Sequence, residues 1–165
     1  MVTLKALEAK LIVIEEYFVI LTLACLTGLQ IVQVAFRYFL NRPLAFVDET
    51  SRYIFIWMVM VGAGLAMAKL AHFEIDFLKA RMPKTLRTID TSLVHIVTLV
   101  FTLGVVWYGF LLLESVSTQI TAVLEISFAI PYSSIIAGCG LMTIHLLCRV
   151  LWDVSSFLQQ KHGHP

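Results

Sequence analysis

Three groups of residues in this sequence combine types and spacings that could do chemistry. The densest is the run Arg37-Tyr38, Asn41-Arg42-Pro43-Leu44, Asp48-Glu49 and Arg52-Tyr53. Charges beside hydrocarbon are costly, so they mark either internal pairing or function. If residues 46–70 form one helix, Asp48 and Arg52 are four apart and share a face. Glu49 and Arg52, three apart, are also neighbours. Two readings follow. The charges could neutralise one another in a polar belt at the membrane boundary, or they could form a docking surface for a partner.

The second group is His95 with His145. Two imidazoles at similar depth on neighbouring helices could ligate a haem iron, as in a membrane cytochrome subunit. Hydrogen bonding between helices explains the same pair more simply. The third group is Glu15-Glu16. A carboxylate in the first of four spans is also found in small proton-coupled drug exporters. Here the pair falls at the membrane entrance, where carboxylates can stay hydrated. No nucleophile–base set, phosphate loop or pair of catalytic carboxylates emerges, so no enzyme is expected. Cys25, Cys139 and Cys148 are odd in number and each lies in an apolar stretch. They predict packing rather than disulfides. No Cys/His spacing suits zinc, and neither a metal nor a cofactor is expected.

The elements that must carry these residues are membrane helices. Of 165 residues, 59% are hydrophobic, against roughly half in a soluble domain. The excess is clustered: Thr91 to Leu113 and Tyr53 to Ala68 hold no charge. A span needs about 20 mostly apolar residues. The spacing predicts four spans, at about 17–40, 46–70, 91–113 and 131–151, in a single membrane domain over 1–165. Asn41-Arg42-Pro43 breaks the first from the second, because proline disfavours helix in the residue before it. Pro131 suits the start of the fourth. Leu4, Leu7, Leu11 and Ile14 share one helical face, which predicts a short amphipathic helix over 1–14 lying at the surface before the chain turns in. Lys5, Glu8 and Lys10 precede an apolar run broken by Glu15 and Glu16, with no small-residue cleavage pattern. The first apolar segment is therefore expected to stay in the membrane. The tail over 153–165 is polar and is expected to fray.

Orientation follows from the basic residues. With the N-terminus in the cytoplasm, nine of the Lys and Arg residues fall inside: Lys5, Lys10, Lys69, Lys79, Arg81, Lys84, Arg87, Arg149 and Lys161. Only Arg37, Arg42 and Arg52 fall outside. This bias predicts both termini inside. Gly62, Gly64 and Ala66 in the second span, and Gly138 and Gly140 in the fourth, are small enough to let helix backbones approach in lipid. The net charge of +1 and the lack of a basic run interleaved with aromatics predict no nucleic-acid partner. The two helical hairpins do not match, and the missing internal repeat argues against a carrier that works alone.

In order along the chain, these residues resemble the small membrane subunit of tripartite ATP-independent periplasmic (TRAP) transporters, the DctQ family. The resemblance rests on a span ending in Arg37-Tyr38-Phe39-Leu40-Asn41-Arg42-Pro43-Leu44, then Asp48-Glu49-Thr50-Ser51-Arg52-Tyr53. A second span follows with Trp57 and Gly62-Ala63-Gly64-Leu65-Ala66. It exits through Ala71-His72-Phe73-Glu74-Ile75-Asp76-Phe77-Leu78. The fourth span opens at Ile130-Pro131 and ends in His145-Leu146-Leu147. The family often has an aromatic, commonly Trp, and two glutamates before the arginine; Phe46 and Asp48-Glu49 stand there here.

The resemblance implies a multi-pass protein of the bacterial inner membrane. It implies a non-catalytic subunit of a sodium-coupled importer of organic acids, with no substrate site of its own. Its partners would be the large permease subunit, a periplasmic substrate-binding protein and phospholipid. Arg42, Asp48, Glu49 and Arg52 are the expected docking or interface residues. His72, Glu74 and Asp76 are expected at the inner-side contact or at lipid headgroups.

Overall fold

The computed structural model describes residues 2–42, 44–70 and 84–162, with side-chain placement for 6–42, 44–69 and 94–151. Among the described residues there are four long helices: α1 (Val2–Phe39), α2 (Ala45–Leu70), α3 (Lys84–Val116) and α4 (Ala129–His162). Each contains a stretch long and apolar enough to cross a membrane: Ala6–Phe39, Ala45–Lys69, Val94–Val116 and Ala129–Leu151. The chain is thus an all-α protein of four membrane-crossing helices.

The N-terminal segment differs from the expectation of a separate surface helix. Residues 2–39 form one unbroken helix. The reason lies in the backbone: no Gly or Pro occurs before Gly28, so nothing interrupts the hydrogen-bond ladder. At 1.5 Å per residue the helix is about 57 Å long, against a hydrocarbon core of about 30 Å. Part of it must lie outside the core, and its charged first half is the polar end. α4 continues to His162, since neither Gly nor Pro follows Pro131 and Gly140 until Gly163.

α1 ends at a left-handed cap. Asn41 has φ 52°, and the Arg42 N–H donates to the Phe36 carbonyl at 3.3 Å. This closure satisfies an orphan carbonyl at the helix end, and Asn is among the few residues that adopt φ > 0 cheaply. At the same end of the bundle, Ser127 Oγ accepts from the Ala129 N–H at 3.1 Å and starts α4. Pro131 then falls in the first turn, where N–H groups lack helical partners.

The helices pack in the order α1, α2, α4, α3, with α2 and α4 in the middle and only a narrow contact between α1 and α4. The distribution of side chains is the reverse of a soluble protein's. Leu21, Ile31, Val100, Phe101, Trp107 and Tyr108 are exposed, whereas Glu15, Gln33, Glu49, Thr102, Ser134, Thr143 and His145 are buried. Lipid tails solvate the apolar exterior, so burying it gains little; polar groups turn inward to find partners. Thr143 Oγ1 donates to Thr102 Oγ1 at 3.0 Å and so links α4 to α3.

Candidate docking and subunit-contact site

The charged run lies at the end of the bundle where α1 passes into α2 and where the 117–128 connection returns from α3 to α4. Glu49 sits in the second turn of α2 and is buried. Its Oε2 accepts the backbone N–H groups of Val123 at 2.8 Å and Leu124 at 3.2 Å. Its Oε1 accepts the Tyr53 hydroxyl at 2.6 Å, and the Thr121 hydroxyl joins the same carboxylate. One carboxylate therefore occupies donors from two separate stretches of chain.

The connection is itself a small closed hairpin. The Thr121 N–H donates to the Ile126 carbonyl at 2.8 Å and the Phe128 N–H to the Gln119 carbonyl at 3.0 Å, around the isolated bridge Ile120–Ser127. Glu125 at its tip has φ 53°. Ser127 Oγ donates to the Ser117 carbonyl at 2.8 Å. A short irregular segment at a membrane boundary must satisfy its own backbone. Here Glu49 does so for two of the hairpin's N–H groups, those of Val123 and Leu124.

Asp48 and Arg52 share a face of α2, and both are exposed. Among the described residues neither they nor Arg42 form an ion pair. The self-neutralising belt is therefore not what the structure contains: Glu49 is used inside the fold, and the other charges stand open. Asp48 and Arg52 border a cleft of about 550 Å³ between the start of α2 and the start of α4, walled largely by apolar side chains such as Ile56, Phe128 and Ile135. Arg42 is exposed just after the α1 cap. His72, Glu74 and Asp76 lie outside the described residues.

The hydrogen bond between helices expected of His145 is present, with Glu15 as its partner, and the expectation for Glu15 needs correction. His145 is buried, and its Nε2 lies 2.9 Å from Glu15 Oε1. Glu8 Oε1 lies 3.8 Å from its Nδ1. A haem reading would have to break this bond to free that nitrogen. Glu15 is likewise not hydrated at an entrance but buried against α4, while its neighbour Glu16 pairs with Lys69 of α2. Helix rotation explains the split: adjacent residues are 100° apart, so one faces α4 and the next faces α2.

The small residues also separate. A Cβ on Gly138 would lie 2.5 Å from the Met60 carbonyl oxygen, and one on Gly64 would lie 2.9 Å from Leu141 Cβ, so these two are where α2 and α4 touch. Gly62 faces Val19 of α1 at an ordinary 3.8 Å, Ala66 is half-buried, and Gly140 has nothing within 4 Å. Among the described residues a Cβ at Gly140 thus has open space where one at Gly138 has none.

A family model described as the DctQ component of tripartite ATP-independent periplasmic transporters matches residues 26–155. A Haemophilus influenzae protein with a TRAP small-permease name is 28% identical over 104 residues, 63% of either chain. The sialic acid TRAP transporter small permease protein SiaQ of Vibrio cholerae is 30% identical over 74 residues, 45% of this chain and 43% of that one. The sialic acid TRAP transporter permease protein SiaT of Haemophilus influenzae is 28% identical over 100 residues, 61% of this chain but 16% of that far longer one. The matches thus span less than two thirds of these relatives' own lengths.

Proposed function

This chain belongs to the DctQ component family of tripartite ATP-independent periplasmic transporters, and we propose that it is the non-catalytic small subunit of a sodium-coupled importer of organic acids. It is a multi-pass protein of the inner membrane. In this reading its spans, about 17–40, 46–70, 91–113 and 131–151, form one membrane domain with both termini in the cytoplasm. The domain packs against a large permease subunit that holds the substrate and sodium sites, and it widens the part of that permease that stays still. Arg42, Asp48 and Arg52 border the periplasmic surface, where a substrate-binding protein can land. Glu49 acts one step behind them by fixing the 117–128 hairpin.

The observation that carries the reading is the family match, which runs from inside α1 into the last part of α4. Three further features support it. SiaT contains a stretch like this chain within a much longer permease, which suits a small subunit working against a large one. The exposed apolar faces of α1 and α3 leave ample surface for a membrane partner. Glu15, the carboxylate such an exporter would use, is paired with His145, which disfavours a drug exporter. Glu15 also takes the His145 nitrogen that a haem would use.

The test is reconstitution. Co-expressed with a large TRAP permease, the chain should co-purify, and the pair should take up an organic acid only with its binding protein and a sodium gradient. Uptake by this chain alone, or failure to assemble with any large permease, would overturn the reading. Impermeant labelling of single-cysteine variants at either terminus in intact cells should give no signal.

A further inference from the structure

We propose that the cleft between the start of α2 and the start of α4 binds the headgroup and first acyl carbons of phosphatidylethanolamine. The proposal rests on the reading that this end of the bundle lies at the periplasmic boundary of the membrane.

The cleft has two chemically distinct parts. Its wall is apolar, built from Ile56, Val123, Phe128 and Ile135, and its volume of about 550 Å³ is in the range of ligand pockets. Its mouth carries Asp48 and Arg52, both exposed. Oppositely charged residues four apart on a helix usually neutralise each other. These two make no ion pair among the described residues, so an anionic and a cationic contact stand open side by side. Glu49, the nearest further carboxylate, is filled by Tyr53, Val123 and Leu124 and does not compete.

Complementarity then selects the ligand. It needs a phosphate for the Arg52 guanidinium, an adjacent ammonium that can donate to Asp48, and a hydrocarbon chain for the wall. Arg pairs well with phosphate oxygens. The two charges at the mouth cancel, so an anionic headgroup has no advantage there. Tyr132 at the rim is of the amphipathic type that sits at headgroup depth. Because Glu49 holds the hairpin that supplies Val123, the cleft is formed before the lipid arrives, which lowers the ordering cost of binding.

The experiment is native mass spectrometry of the complex with the large permease in mild detergent. Phosphatidylethanolamine or phosphatidylglycerol is added at matched concentrations. One phosphatidylethanolamine should be retained at least tenfold over phosphatidylglycerol. Arg52→Glu should reduce that retention tenfold or more, and Ile135→Trp, which fills the wall, should do the same. A photoactivatable phosphatidylethanolamine on the unmutated complex should label peptides spanning 45–56 and 122–135. This arm keeps the test independent of variant folding. Preference for phosphatidylglycerol, retention unchanged by both variants, or label confined elsewhere would overturn the proposal. That includes the case in which the large subunit fills the cleft. Photolabelling the chain expressed alone separates the two readings. Label in the same peptides there, together with failure to assemble when a large permease is co-expressed, keeps the lipid site and rejects the subunit assignment.

Discussion

Replacing Gly138 by alanine should split the bundle's central contact, whereas the same change two residues away should not. A Cβ at Gly138 would meet the Met60 carbonyl oxygen at 2.5 Å, the Met60 carbonyl carbon at 2.8 Å and Met60 Cβ at 2.8 Å. Ordinary contact begins near 3.4 Å, so the shortfall to the oxygen is 3.4 − 2.5, or 0.9 Å. A main-chain carbonyl cannot swing aside as a side-chain end can. The shortfall must therefore be met by moving α2 from α4. A gap of 0.5–1 Å already forfeits a quarter to a half of each dispersion contact. Overpacking of this kind costs about 1–3 kcal/mol, and the helix preference of Ala over Gly returns up to about 1 kcal/mol. Because the clash is with main-chain atoms, the upper half of that range applies, and the net expectation is a loss of about 1–2 kcal/mol. Gly140→Ala meets nothing within 4 Å and keeps only the favourable part. Equilibrium unfolding in mixed detergent and dodecyl sulfate micelles, followed by circular dichroism, measures both. Equal stability of the two variants, or a Gly138→Ala variant as stable as the parent, would refute the argument.

Other perturbations test the polar contacts. Glu15→Ala leaves His145 buried without its partner and should cost about 3 kcal/mol, whereas the double change Glu15→Leu with His145→Leu should recover much of it; the same unfolding assay reads both. Thr143→Val removes the link to Thr102 and should cost roughly 0.6 kcal/mol, the usual size of such a bond between membrane helices. Glu49→Ala should release the 117–128 hairpin, seen as faster amide hydrogen exchange at Val123 and Leu124 with the helices unchanged; unaltered exchange would show that the hairpin holds itself.

The four spans and their breaks were legible in the sequence because hydropathy is a local property. Any run of twenty apolar residues such as Thr91 to Leu113 reports its solvent without reference to the rest of the chain. The chain order of charged and small residues was enough to mark the family resemblance as well. Asn41-Arg42-Pro43 announced the end of α1, although the cap is made by Asn41 at φ 52° rather than by proline alone. That residues 2–39 form one continuous helix was not legible, because an amphipathic pattern over 1–14 says which face is wet, not whether the backbone bends. Only a breaker residue decides that, and none is there.

The tertiary structure decided which polar groups meet. Glu15 and His145 are 130 residues apart, and Glu49 and Val123 are 74 apart. No spacing rule connects such pairs, because their contact depends on how each helix is rotated and where it crosses its neighbour. The same geometry divides Glu15 from Glu16 and Gly138 from Gly140, residues that composition treats as equivalent. The sequence by itself determined that the chain lives in a membrane and where it crosses. Rotation and crossing, set by close packing of α2 on α4, determined which of its charges are spent inside and which remain open at the surface.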